Sequence, residues 1–241
     1  MTTITTLAAL AAVSGLAALA AWPGPAAAQE FRGAELSVEV LGFSEDDSAI
    51  NQITYRGSAE AGIGAFGLAA DLSFYDADGG DLRGLTVHAL YDGLDVASLG
   101  AFYARDSVDG DDVDAIGLEA ARSFGPIDAQ GYAALARDDG DGVGLFGLDG
   151  SVDLTSALSI TGQADLLNGD GGSISRVAIG GEYRLAAGPA LYAEIGRVGF
   201  SDDDLGDASN TFIGFGARIA IGPRGGTTFD PRGVTETLSG F

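Results

Sequence analysis

The strongest constraint in this sequence is a period-two alternation that returns segment after segment. Ile53, Tyr55, Ala59 and Ala61 share one parity against Thr54, Arg56, Ser58 and Glu60. Phe66, Leu68, Ala70, Leu72 and Phe74 do the same against Asp71 and Ser73. Further on, Phe146, Leu148, Val152 and Leu154 oppose Asp149, Ser151 and Asp153, and Leu158, Ile160, Ala164 and Leu166 oppose Ser159, Thr161, Gln163 and Asp165. Val177, Ile179, Tyr183 and Leu185 then oppose Arg176, Glu182 and Arg184. Successive side chains of a strand point to opposite faces, so each segment carries one apolar and one polar face. The fifth and seventh segments alternate poorly, and their facing is left open.

Two kinds of interruption divide the segments. Acidic clusters stand at 44–48, 76–81, 106–114, 138–142, 168–172 and 201–207, with centres about 31 residues apart. They hold 19 of the 35 acidic residues, so the charge is segregated. Midway between them lie short breaks at 62–65, 91–95, 123–127, 153–157 and 186–190, where Gly, Pro and Ser supply tight-turn chemistry. The count is twelve segments of roughly 10–12 residues, longer than the ~5–6 usual in soluble proteins and close to the ~9–11 of a tilted membrane-spanning strand. An even strand number, with short turns at one rim and longer loops at the other, predicts an all-β fold: a transmembrane antiparallel barrel of about 12 strands with short periplasmic turns and acidic extracellular loops.

Ahead of the first strand, Leu7 to Ala21 is an apolar run followed by Pro23, Pro25 and Ala26 to Ala28. Small residues at the end of such a run suit signal peptidase, so residues 1–28 are read as a signal peptide, cleaved after Ala28. Residues 29–222 form the expected barrel, and 223–241 a C-terminal extension or closing segment. A net charge of −23, with twelve bases that are all Arg, excludes nucleic acid as a partner. The absence of cysteine excludes disulfides and thiolate metal sites. The 39 glycines argue against long helices, and after residue 28 any membrane crossing must be made by strands.

At these alternating segments the chain resembles porin-like outer-membrane β-barrels of Gram-negative bacteria, particularly the acidic, lysine-poor alphaproteobacterial kind. Phe241 at the terminus and the run Gly216-Ala-Arg-Ile219-Ala-Ile221 resemble the closing signal that barrel assembly machinery reads. Residues 223–241 depart from the family, because Thr235, Thr237 and Ser239 are not apolar. They form a periplasmic extension, a plug or a poorly patterned last strand. The resemblance implies an outer-membrane location, contact with lipid and lipopolysaccharide, passage of small solutes or cations, and assembly as single barrels or homo-oligomers.

With the apolar face toward lipid, the other parity lines the lumen. It places Glu35, Glu39, Glu60, Asp71, Glu119, Asp149, Asp153, Asp165, Glu182 and Glu194 inside, with Arg56, Arg176, Arg184, Arg218 and His88. Acidic rings select cations, so a passive, cation-leaning pore is the expected function. Gly67, Ala69, Ala178, Gly180, Gly214 and Gly216 at inward positions are expected to leave room. Arg83, Arg105, Arg137 and Arg197, at strand ends of the acidic rim, either meet lipopolysaccharide phosphate or balance neighbouring aspartates. Tyr55, Phe74, Tyr103, Tyr91, Phe124 and Tyr183 suit interfacial belts. The acidic clusters lack the EF-hand spacing, and His88 has no nucleophile at catalytic spacing. No enzyme activity and no cofactor are expected. The rivals are a non-conducting surface barrel whose charges pair and seal it, and a soluble secreted β-rich binding protein.

Overall fold

The computed structural model describes residues 30–44, 52–77, 80–108, 111–138, 141–169, 171–202 and 206–238. The expected signal segment, Trp22 and Phe241 lie outside them. Twelve strands follow in order: β1 (Glu30–Phe43), β2 (Gln52–Ile63), β3 (Phe66–Ala77), β4 (Gly80–Tyr91), β5 (Ser98–Val108) and β6 (Asp111–Phe124). Then come β7 (Ile127–Asp138), β8 (Asp141–Asp153), β9 (Leu158–Gly169), β10 (Gly172–Arg184), β11 (Ala190–Asp202) and β12 (Gly206–Ile221). Each pairs antiparallel with its sequence neighbour, and β12 returns to β1 in the register Ala34↔Ile221 to Phe43↔Phe212. Closure removes the edges, so the strand ladder satisfies its own backbone donors and acceptors, as a hydrocarbon surrounding demands.

The distribution of polarity is inside out. Outward positions carry Phe66, Ile116, Leu118, Leu135 and Leu148, and Leu118 is 69 % exposed midway along β6. Inward positions carry Thr54, Glu60, Asp71 and His88, each 1 % exposed or less. A soluble β-sandwich would show the reverse, which removes the soluble binding protein from the readings. Tyr91, Phe124 and Tyr183 lie on the exposed outer face near strand ends, whereas Tyr103, also outward, stands in the middle of β5, and the Phe66 and Tyr91 rings sit 5.1 Å apart.

Among the described residues, the acidic rim consists of strand ends. Asp106 belongs to β5, and Asp111, Asp112 and Asp114 belong to β6, with only 109–110 between the two strands. Pairing runs on to Val108↔Asp111, so alternation continues through the cluster. That puts Asp106 inside, 1 % exposed, and leaves Asp112 and Asp114 outside against Arg105.

The fifth and seventh segments also resolve. β5 turns Phe102, Ala104 and Asp106 inward, and β7 turns Tyr132, Ala134 and Ala136 inward. Both strands carry apolar side chains on their inner face, where they cluster with Ala115 and Leu145. A two-faced reading expects polarity there, which is why their alternation was blurred.

Past β12 the chain reverses. Gly222, Gly225 and Gly226 adopt φ values of 101°, 68° and 133°, left-handed conformations that favour glycine. The Arg224 amide donates to the Arg32 carbonyl, and a Cβ on Gly33 would collide with the Gly226 carbonyl. This turn sends residues 226–238 into the barrel, ending in a short helix, α1 (Val234–Leu238). The barrel is thus closed by β12, and the C-terminal segment is the plug of the three alternatives.

Candidate functional site: an occupied lumen

The interior is a lattice of paired charges. On β1 and β2, Arg56 reaches Glu39 at 3.4 Å, and on the rim Arg32 reaches Glu60 at 3.1 Å and Asp92 at 2.7 Å. His88 on β4 stands between two carboxylates, Asp71 of β3 and Glu119 of β6, each at 2.6 Å. Both ring nitrogens are taken, which leaves none to activate a hydroxyl and removes the geometric basis for a catalytic histidine. Across the barrel, Arg176 bonds Glu194 at 2.8 Å, and Arg184 bonds Asp153 at 3.0 Å and Glu182 at 3.2 Å. Arg218 bonds Glu182 and lies 3.8 Å from Glu35. Asp165 accepts from Tyr132 and Gln163, and Asp149 from Arg232. The structure therefore places all fifteen of the expected inward residues on the inner face, in pairs and networks.

The C-terminal segment completes this lattice, because its side chains bond to wall residues far away in sequence. Phe229, fully buried, packs against Ala69 and Leu90 and stacks on His88 with ring centroids 6.1 Å apart and planes 12° apart. Glu236 accepts from Arg56 at 3.0 Å, from Ser73 at 3.2 Å and from the Tyr75 hydroxyl. Asp106 caps the start of α1, accepting from the amide of Val234 at 2.6 Å and from the Thr235 hydroxyl at 2.8 Å. Arg232 spreads its guanidinium over three acceptors: Glu119 at 3.3 Å, Asp149 at 3.3 Å and the Gln130 amide oxygen at 2.6 Å.

Several inward glycines play a different part from the one expected of them, whereas Ala178 and Gly180 border open space as expected. Cross-strand pairs set Gly117 opposite Phe102, Gly147 opposite Tyr132, Gly216 opposite Tyr192 and Gly196 opposite Phe212. In each, a Cβ on the glycine would strike the ring across from it. The aromatic lies flat along the wall over the glycine, a known way of covering glycine in curved sheets. The space is thus used by the wall's own rings. Gly67, beside Arg32, and Gly214, beside Leu41 and Glu194, are filled in the same manner by longer side chains.

Open space survives beside the segment. A cavity of about 300 Å³ lies between the C-terminal segment and the wall of β6–β12, bordered among others by Arg122, Gln130, Asp149, Glu194, Arg218 and Asp230. Asp92, in the connection between β4 and β5, is half-buried, which by itself raises its carboxyl pKa. Hydrogen bonds from Ser98 and Arg224 and the charges of Arg224 and Arg32 outweigh that and hold it below the ordinary value. Among the described residues no cluster of three His, Asp or Glu could hold a metal ion.

Sequence reasoning missed Asp106, Phe102, Tyr132, Arg32, Phe229, Arg232 and Glu236 as interior residues. For the tail, the charges of Arg224, Asp230, Arg232 and Glu236 on an otherwise unpatterned glycine-rich segment are as consistent with solvation as with partners in a charged lumen, so they carry no signal of its path.

An inside-out, closed, twelve-stranded antiparallel cylinder of this kind is a membrane-spanning β-barrel. The chain belongs to the Gram-negative porin family, which it matches over residues 40–203, and it is accordingly an outer-membrane barrel. Among solved structures it is similar to the NanC porin, with a TM-score of 0.60 and 8 % identity over 77 % of this chain and 98 % of that one. The KdgM porin in complex with disordered oligogalacturonate gives 0.55 and 10 %, over 78 % and 99 %. An outer-membrane channel from Pseudomonas putida F1 gives 0.55 and 13 %, over 83 % and 99 %. At such identities the likeness is one of fold. No curated protein matches the chain.

Proposed function

We propose that the protein is a passive outer-membrane channel for small hydrophilic solutes, with a lumen that favours cations and with neither a reaction nor a cofactor. The observation that carries the cation preference is the wall chemistry. Asp128, Asp149, Glu194 and Asp230 border the cavity against Arg122 and Arg218, and small, hydroxyl and amide residues make up the rest of its lining. A net negative wall in a low-dielectric shell concentrates cations along the axis. The apolar outer face meets lipid, and at the acidic rim Arg105 pairs with Asp112 at 2.5 Å while Arg197 donates to the Ser209 hydroxyl at 2.6 Å.

One observation favours a second reading, the barrel with no conductance: the C-terminal segment stands in the solute path with its charges satisfied. Planar-bilayer recording of the purified full chain separates the two. Discrete steps with a cation-selective reversal potential in a salt gradient are expected. Silence over the full voltage range sinks the channel, and an anion-selective reversal sinks the charge argument alone.

A further inference from the structure

The contacts of Arg232 describe a receptor as well as a tether. Its acceptors come from three adjacent strands, with Glu119 on β6, Gln130 on β7 and Asp149 on β8. The barrel register sets Glu119 opposite Tyr132 and Gln130 opposite Asp149. The guanidinium carbon lies 4.6 Å from the centroid of the Tyr132 ring. Three nitrogens thus find three separate acceptors, and the flat cation lies against an aromatic ring, an arrangement that suits a planar fork and not a compact ammonium. Every acceptor belongs to the wall, whose backbone pairing owes nothing to the C-terminal segment. Glu119 is held further by His88, and the Arg232 side chain is 4 % exposed.

We propose that this patch of the lumen wall is a binding site for guanidinium-bearing solutes, and that Arg232 occupies it as the protein's own competitor. The C-terminal segment is then a displaceable plug, released when a solute guanidinium takes the place of Arg232. Access is provided, since Gln130 and Asp149 also border the cavity, together with Thr228 and Asp230 of the segment itself. Its volume of about 300 Å³ stands at the lower end of small-molecule sites. Water would resolvate the other partners of a departing segment, because Arg56, Asp106 and Glu119 face the lumen and not lipid. Passage of such solutes rests on the channel reading, whereas binding does not.

The test uses the full chain in detergent with methylguanidinium as the probe and methylammonium at equal ionic strength as the control. In Arg232→Ala, methylguanidinium should raise the thermal midpoint saturably and methylammonium should not, because a ligand of the folded state alone stabilises by mass action. Adding Glu119→Gln should remove the response. Equal responses to the two cations, or a response that survives Glu119→Gln, overturn the site.

A second measurement keeps Arg232 and does not depend on that variant folding. The chain has no cysteine, so Ala69→Cys places a single thiol on the wall beneath Phe229. Methylguanidinium should speed its labelling by about tenfold or more over methylammonium, the factor expected when a charge-assisted hydrogen bond is exchanged. No difference overturns displacement. Bilayer silence would sink the channel reading and leave both detergent measurements standing.

Discussion

The barrel wall and the segment inside it are held by opposite kinds of interaction. The wall is a continuous ladder of backbone hydrogen bonds between consecutive strands, closed by β12 on β1 and wrapped in apolar side chains that face outward. The segment 222–238 contributes no strand. Apart from the apolar packing of Phe229 and Val234 and the bond from the Arg224 amide to the Arg32 carbonyl, it is fastened by side-chain hydrogen bonds and ion pairs to β2, β3, β5, β6, β7 and β8, across separations of up to 180 residues. The difference teaches that the two can fail separately. Lipid and backbone pairing fix the wall, while water, salt and competing ions act on the segment.

The sharpest way to break the contrast is to attack the wall where it meets hydrocarbon. Leu118 stands at mid-strand on the outer face of β6, opposite Ala101 and Ala133. Leu118→Arg should cost about 2–4 kcal/mol if that face lies near the bilayer midplane. Unfolding in lipid, followed by the shift in gel mobility between folded and heated protein, would register it. A variant as stable as the parent would mean that this face does not meet acyl chains, and the inside-out assignment would fall.

The same contrast explains what could be read from the sequence. Alternation is a local signal, so twelve strands, their order and the inward parity of Glu60, Asp71, Asp165 and Glu182 were all legible. Where the inner face is itself apolar, as at Phe102 and Tyr132, the signal weakened because period two depends on unlike faces. Asp106 was read as part of an acidic loop, since a cluster of carboxylates looks solvated until the register turns one of them inward. The path of the tail was out of reach for a stricter reason. Arg232 and Glu236 are placed by partners that only the closed barrel brings together, and no spacing along the chain encodes that meeting.

Asp106 offers a cut on the other side of the comparison. Its carboxylate holds the amide of Val234 and the hydroxyl of Thr235, and nothing in the β5 ladder depends on it. Asp106→Ala leaves those buried donors unmet, at a cost of about 1–3 kcal/mol borne by the docked segment. Amide exchange at Val234 and Thr235 should accelerate, while exchange in β4, β5 and β6 stays slow. Faster exchange throughout the neighbouring strands would show that plug and wall form one cooperative unit.

The smallest expected effect is a titration at the point where the segment enters. Asp92 receives Arg32 at 2.7 Å and Arg224 at 2.8 Å, clamping the turn after β12 to the rim. Its carboxyl is held below 3.8, the ordinary aspartate value, in the folded protein. A group with a depressed folded pKa binds protons more readily when unfolded, so its contribution is full above that ordinary value. It is lost as the pH falls through the lower folded value. Amide exchange over residues 224–229 should therefore be flat from neutral pH down to mild acid, apart from the intrinsic chemistry. It should quicken only when the pH falls below about 3.8. Asp92→Asn, which cannot titrate, should abolish that acid step and leave the segment modestly looser than the parent at every pH above it. An acid step of equal size in both proteins would assign it to another carboxylate of the lattice, and the rim clamp would lose its claim to position the segment.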